Sequence, residues 1–468
     1  MAYQYKTNPY EHQRQALIKG ADRRLYAYFM EMGTGKTKVS IDNACYLYKE
    51  GKVNVVLVVA PNSVYRNWSD EINTHSPVDT AIHIHKVNKK FVRQSNKLSF
   101  FLINIEAFSR SSGIKAVEDL INEYHDSMMV IVDEATTIKN RTAKRTKALT
   151  IICKPIAFKS ILTGSPVTKS PLDLFSQCNF LNPELLGYTS FYAFRARYCV
   201  MKTIALAASG KQVALPLYFT NLDELEKKLK SFSFRVKKKE CLDLPDKVYT
   251  KRYVDLKGDQ LQTYSSLKLY ARTIFEDQEA SYSNKLTEIV KLHQVCCGYV
   301  VSDEGVKKDL NNPKLDELMN ILDETDGKII IWANYIYNLE NIIKKLQDKF
   351  GSMSVVSIYG DVPVEARSSA VKNFQENKNV RFFVGNPTTG GYGLNLTAAN
   401  TVIYFSNSYD LKVRQQSDDR AHRIGQKNNV TYIDLVVRNT IDEFILKALN
   451  KKIKISGQTL GEEVLQYL

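Results

Sequence analysis

Nine short apolar runs constrain what this chain can fold into more than any other feature. Four come early: "VNVVLVVA" (53–60), "SFFLINI" (99–105), "MMVIV" (128–132) and "SILT" (160–163). Five come late: "KIIIW" (328–332), "SVVSIY" (354–359), "VRFFVG" (380–385), "TVIYF" (401–405) and "VTYIDLVV" (430–437). Apolar runs of strand length, separated by helical stretches, are expected as parallel strands buried on both faces. Two series of them predict two α/β lobes. Between the series, roughly 180–310, the pattern turns lysine-rich and helical, as in "NLDELEKKLKSF" (221–232) and "DQLQTYSSLKLYARTIFEDQEA" (259–280). This reads as a helical insertion. "RVKKKECLDLPDK" (235–247) reads as the linker into the second half, with Pro245 breaking any helix.

At 468 residues with 44% hydrophobic content, the chain has material for several cores. No run reaches the ~18 apolar residues of a membrane span. The start, "MAYQYKTNPYEHQ", shows no charged-then-apolar signal pattern, so the chain is expected to stay in the cytoplasm. Seven scattered cysteines, an odd count without C-x-x-C, argue against a disulfide framework. "HQVCC" (293–297) has no second cluster at ligand spacing, and His83 and His85 alternate as on a strand face; both read as structural. Lysine plus arginine exceeds aspartate plus glutamate by 65 to 50, a net charge of +15 that favours a polyanionic partner.

"MEMGTGKT" (30–37) lies between the apolar "RLYAYF" and the helical "KVSIDNACYLY". Strand, glycine turn and helix are the setting of a phosphate loop. Gly33 and Gly35 would let backbone N–H groups, Thr34 among them, crowd around phosphate oxygens. Lys36 would neutralise the β and γ phosphates and the Thr37 hydroxyl would take a Mg²⁺ position, with the helix N-terminus adding its dipole. Met30 stands where the general pattern has its first glycine. "MMVIVDEATTIKN" (128–140) runs straight into Asp133 and Glu134. Two carboxylates at the end of a buried strand are poorly explained by packing, and ligands bind at that end of open α/β sheets. Asp133 would hold Mg²⁺ through water; Glu134 would orient or deprotonate the attacking water.

In "QQSDDRAHRIGQ" (415–426), Arg420 and Arg423 sit three apart and would share one face of a helix, with Arg414 one and a half turns earlier. A guanidinium fork suits phosphate. Taken alone, the segment reads first as a solvated helix whose arginines pair with Asp418 and Asp419.

The combination of "EMGTGKT", "DEATTIKN", "LTGSPVTKSPLDLF" (162–175) and "RAHRIGQ" (420–426) resembles the SWI/SNF branch of superfamily-two helicase-like ATPases, from about Pro9 to about Asn450. The resemblance is to a compact, bacterial or phage-type member. It implies an α/β fold of two RecA-like parallel-sheet lobes with a helical insertion between them. The expected domains are a first ATP-binding lobe (1–180), insertion and interlobe linker (181–306), a second lobe (307–450) and a C-terminal tail (451–468). It assigns Gln13 to adenine, and Thr163, Gly164 and Ser165 to coupling hydrolysis to lobe movement. It makes Arg420 and Arg423 fingers for the γ-phosphate, held by Asp418 and Asp419 when ATP is absent. Ser63, Arg66, Thr388, Thr389 and the Gly390–Gly391 turn become candidates for sequence-independent DNA backbone contacts. The basic segment "KNRTAKRTK" (139–147) is a further candidate, alongside its reading as a solvated helix. Thr136 stands where the branch usually has histidine, and Trp332 replaces a usual phenylalanine.

The function so implied is an ATP- and Mg²⁺-dependent motor on double-stranded or branched DNA, serving fork remodelling, branch migration or protein displacement. A strand-separating helicase and a nucleotide-switched scaffold are the alternatives.

Overall fold

The structure, a computed structural model, describes residues 3–61, 67–86, 91–205, 212–276, 282–302, 304–360, 362, 364–390 and 394–461. Ser63, Arg66 and Gly391 therefore lie outside the described residues. The chain divides into two compact units: Met1–Val200 with Tyr218–Asp243 and Ile455–Val464, and Met201–Leu217 with Leu244–Lys454 and Leu465–Leu468.

The first unit is built on strands β1 (Leu25–Met30), β2 (Val55–Ala60), β3 (Thr80–Ile84), β4 (Leu98–Asn104), β5 (Met128–Asp133) and β6 (Phe158–Leu162). A separate two-stranded sheet pairs β7 (Cys199–Ala205) with β8 (Gln212–Phe219). Strand β9 (Ser233–Val236) then completes a seven-stranded sheet of order β3-β4-β2-β5-β6-β1-β9. Every pairing in it is parallel. The continuous apolar runs follow from burial on both faces. In β2, Val55, Leu57 and Val59 enter one core layer, while Val56, Val58 and Ala60 enter the other.

The second unit holds β10 (Lys247–Val254), the antiparallel pair β11 (Tyr299–Val301) and β12 (Lys307–Asp309), then β13 (Lys328–Trp332), β14 (Val355–Ile358), β15 (Phe382–Gly385), β16 (Ala399–Tyr404) and β17 (Val430–Val437). Six of these form a second parallel sheet of order β10-β17-β16-β13-β15-β14. Ile329 and Ile331 face one layer, Ile330 and Trp332 the other, where the Trp332 ring meets the edge of Phe383 at 5.6 Å. The chain is thus α/β with two parallel-sheet lobes.

Three expectations need correction. The segment 181–306 is not a helical insertion alone: β9 joins the first sheet and β10 the second, so the supposed linker supplies an edge strand to each. Its helices Gly258–Glu276 and Tyr282–Cys296 belong to the second unit. The expected tail begins inside a helix, since the last helix runs Ile441–Leu460. All seven cysteines carry free thiols, six of them buried. His83 stacks on Phe101 with centroids 5.2 Å apart, a packing role. Among the described residues, no helix is long and apolar enough to cross a membrane.

Candidate functional site

Sheet order brings the predicted residues of the first unit to one edge. Strands β2, β5, β6, β1 and β9 are consecutive neighbours. Their carboxyl ends lead, in that order, into the stretch ending at Trp68, into Asp133–Glu134, into Thr163–Ser165, into the glycine loop, and into Lys237–Lys238. The ends of parallel strands are where α/β sheets bind ligands.

The loop turns into the helix Lys36–Lys49 through two glycines in the left-handed region, Gly33 at φ 79° and Gly35 at φ 87°. A Cβ on Gly35 would stand 2.1 Å from Gln13 Nε2. Gln13 braces this turn: its Nε2 donates to the Thr34 carbonyl at 3.1 Å and its Oε1 accepts from the Tyr10 N–H at 3.0 Å. His12 Nε2 lies 2.8 Å from the same carbonyl. The Lys36 ammonium donates to the Met30 carbonyl at 2.9 Å and to that of Glu31 at 3.3 Å, which holds it over the loop. The half-buried Thr37 hydroxyl makes no hydrogen bond to another described residue.

Asp133, the last residue of β5, is buried. Its Oδ2 accepts the Trp68 indole N–H at 3.0 Å and its Oδ1 the Glu134 N–H at 2.8 Å. Burial raises the Asp133 pKa above the usual carboxylate range, and neighbouring Glu134 adds to this; Trp68 and the Lys36 charge oppose it. Glu134 sits at φ 54°, ψ 58°, a left-handed conformation rare for a residue with a side chain. Two hydroxyls converge on its Oε1, Thr136 Oγ1 at 2.9 Å and Thr163 Oγ1 at 3.3 Å. Thr163 Oγ1 also accepts the Ser165 N–H at 3.2 Å. A Cβ on Gly164 would approach the Met32 backbone nitrogen to 3.0 Å, so the turn after β6 packs directly on the loop after β1.

Three residues here were not singled out from the sequence. Trp68 follows two residues after Arg66, in a stretch read only for its DNA contacts at Ser63 and Arg66. Arg235 donates from Nη1 to the carbonyls of Phe29 and Gly164, both at 2.9 Å, and Lys238 N–H donates to the Glu31 carboxylate at 2.9 Å. Both lie in the stretch read as a linker; its lysine richness hid a strand of four residues.

In the second unit the arginine segment differs from expectation. The helix Leu411–Asp418 ends before Arg420, so Arg420 and Arg423 lie on the turns that follow and do not share a helical face. They are brought together otherwise: Arg420 Nη1 at 3.3 Å and Arg423 Nη1 at 3.2 Å both donate to the Leu394 carbonyl. Arg420 is buried and Arg423 half-buried. Gln426 fastens the same segment through Nε2 to the carbonyls of Thr397, Ala399 and Ala421.

Arg414 is separate from this pair. It is buried between Asp434 (2.6 Å) and Asp418 (3.0 Å), 3.7 Å from the Tyr404 ring centroid. Burial works against its charge, but the two carboxylates hold its pKa well above the ordinary value. Asp418 is therefore taken up by Arg414, Tyr404 and Tyr249, not by Arg420 or Arg423, and Asp419 receives Lys247 at 3.4 Å. Thr388 is exposed and Thr389 half-buried on the short helix Pro387–Gly390 that follows β15, where the Thr388 N–H donates to Asn386 Oδ1.

A glycine loop after one parallel strand, an acidic pair after another, and a second parallel lobe define a two-lobed α/β protein of the phosphate-loop class. The chain belongs to the SNF2-related family: the SNF2-related domain matches residues 28–300, more than half of it, and the helicase conserved C-terminal domain matches residues 313–425. An ATP-dependent helicase of Mycoplasma genitalium is 28% identical over 447 residues, covering 93% of this chain and 40% of that protein. The human DNA annealing helicase and endonuclease is 28% identical over 438 residues, covering 92% and 38%. The chain thus spans about two fifths of the length of these relatives. The Sulfolobus solfataricus SWI2/SNF2 ATPase core in complex with double-stranded DNA is similar at 26% identity and a TM-score of 0.44, covering 98% of this chain and 95% of that one.

Proposed function

We propose that the chain is an ATP-driven motor that tracks along double-stranded or branched DNA without reading its sequence. The observation that carries this reading is the convergence of Lys36, Asp133, Glu134 and Thr163 at the ends of three neighbouring strands of one sheet, in a chain of the SNF2-related family. A cation held only for packing does not require a left-handed glycine turn around it, nor a strained carboxylate beside it.

Lys36 neutralises phosphate charge as it builds in the transition state. Glu134, aimed by two hydroxyls, orients the attacking water and accepts its proton. Thr37 and Asp133 are the residues that would hold Mg²⁺. They suit it: the Thr37 hydroxyl is uncommitted among the described residues, and Asp133 is a buried carboxylate whose hydrogen-bond donors are both neutral. The ion would supply charge neutralisation between the phosphates. Gln13, which braces the loop, is the adenine contact that the family resemblance assigns. Arg420 and Arg423, assigned by "RAHRIGQ", serve the γ-phosphate as fingers. Thr388, Thr389 and the Gly390–Gly391 turn contact the DNA backbone, as do Ser63 and Arg66. The cytoplasm of a bacterial or phage-infected cell is the expected setting.

The experiment is ATPase turnover with and without nucleic acid, joined to third-strand displacement from a triplex. Duplex or branched DNA should stimulate turnover several-fold, more than single strands or RNA, and the third strand should be displaced. Ready unwinding of a tailed duplex with no triplex displacement would transfer the reading to a strand-separating helicase. No stimulation by any nucleic acid at low salt would leave a nucleotide-switched scaffold.

A further inference from the structure

The basic segment 139–147 leaves the site a few residues after Glu134, through the short turn Ala135–Ile138, and enters the helix Lys144–Ile152. It contains five cations and no carboxylate. Lys144 and Lys147, three apart on that helix, share an exposed face. The fold sets an aromatic helix, Phe191–Tyr198, beside it: the Arg141 guanidinium lies 4.4 Å from the Phe191 ring centroid and 5.4 Å from that of Tyr192. Arg195 comes within 5.2 Å of Tyr192 as well. Phe191 is anchored edge-on against Phe175 at 5.5 Å, yet Tyr192 is left 60% exposed.

A solvated charged face is the ordinary explanation for such a segment, and this one lacks that face's signature. The helix Leu222–Phe232 shows what the ordinary case looks like here: Lys228 pairs with Glu224, and Lys230 with Glu226. By contrast, Arg141, Lys144, Arg145, Lys147 and Arg195 form no ion pair among the described residues. Arg145 Nε is buried with no hydrogen-bond partner there. Five cations gathered without counter-charge repel one another, an arrangement that a bound polyanion relieves.

We propose that Tyr192, Arg141, Arg195, Lys144, Arg145 and Lys147 form a binding surface for single-stranded nucleic acid, apart from the duplex contacts of the motor. The cations take the phosphodiester backbone. The Tyr192 ring, braced by two guanidiniums, takes an unpaired base by stacking, which tolerates any sequence. An acidic polypeptide would satisfy the cations but offers no flat face for Tyr192, and a duplex keeps its base faces hidden. The surface suits the unpaired arm of a branched substrate. It does not depend on the motor reading.

The test measures binding of fluorescein-labelled (dT)20 to the full chain by anisotropy, with saturating unlabelled blunt duplex present to occupy other sites. Tyr192→Ala should weaken (dT)20 binding by roughly five-fold or more. Lys144→Ala/Lys147→Ala should reduce the slope of log K against log[salt] by about 0.7 per lysine. Both variants should keep ATP turnover without DNA within two-fold of wild type, a control for folding. A (dT)20 crosslinker, 5-iodo-deoxyuridine, should attach to Tyr192. Wild-type affinity and salt slope in both variants would overturn the proposal. So would polyglutamate of equal charge competing as well as unlabelled (dT)20, which would mark a general anion surface. Failure of the motor reading is distinct: it appears as absent duplex stimulation in the wild type, whatever the (dT)20 result.

Discussion

The Trp68 indole N–H donates 3.0 Å to Asp133 Oδ2, so the chain just after β2 holds the carboxylate at the end of β5. A hydrogen bond to a charged group contributes about 1.5–3 kcal/mol. The bond joins the stretch assigned to DNA contact to the residue assigned to Mg²⁺. Trp68→Phe keeps a large ring in the core and deletes only the donor. Turnover should fall about tenfold, or ~1.4 kcal/mol in barrier, and DNA stimulation should fall with it. Mg²⁺·ADP affinity by calorimetry should weaken too. Unchanged affinity and stimulation would mean that the bond serves packing alone.

Thr136 supplies a hydroxyl to Glu134 Oε1 at the position where the family pattern usually has histidine. Thr136→Val is nearly isosteric and removes it. The expected result is a fall in kcat of about an order of magnitude with KM for ATP within two-fold, because the role proposed for Glu134 is on the attacking water and not in ground-state binding. Thr136→Ser should restore most of the loss. A rise in KM at constant kcat would contradict the aiming role.

The arginines of the second unit should separate cleanly. Arg423→Ala should bind ATP normally and hydrolyse it hardly at all, with or without DNA. Arg414→Ala should instead unfold more readily, by about 3–5 kcal/mol, since it strands the buried carboxylates of Asp434 and Asp418. Urea unfolding and single-turnover ATPase distinguish the two. Normal turnover in Arg423→Ala would remove it from the site.

Acid should weaken the second unit through His293. The imidazole is buried, with Nδ1 2.8 Å from the Tyr335 hydroxyl; burial lowers its pKa from 6.5 to about 4, Lys314 adding to the shift and Asp442 opposing it. Between those values the unfolded chain binds the extra proton, so stability rises with pH in that window and is lost as pH falls from about 6.5 towards 4. The full effect is at most about 3 kcal/mol. Urea unfolding in a Trp68→Phe background, where Trp332 alone reports, should show this slope, and His293→Gln should flatten it.

The central strands of both sheets were legible because burial on both faces forces continuous apolar runs, which few other structures produce. The glycine loop and the acidic pair were legible because their chemistry dictates residue type at fixed spacing. What escaped was short, exposed or relational: β10 runs eight residues with only Val254 buried, so it shows no apolar run. Strand β9 has four residues, two of them only half-buried, so its pattern never rises above its lysines. The helical face assigned to Arg420 and Arg423 failed because the helix stops at Asp418, and the two meet through the Leu394 carbonyl, which no spacing rule encodes. Arg414 looked like their companion in sequence, but its partner Asp434 lies on β17, twenty residues on.

Strand β9 also governs how the protein could be taken apart. A chain cut after residue 180 would leave β1, five of whose six residues are buried, as an unpaired border of the first sheet. An apolar edge of that kind recruits further strands, so the fragment should precipitate instead of folding alone. The complementary fragment would carry β9 with nothing to pair it. Moving the cut to between Asp243 and Leu244 returns β9 to its sheet, yet Ile455–Val464 still belong with the first unit and Met201–Leu217 with the second. No single break in the polypeptide therefore releases two self-sufficient halves, and recovering either one in soluble form calls for a circularly permuted or two-segment design.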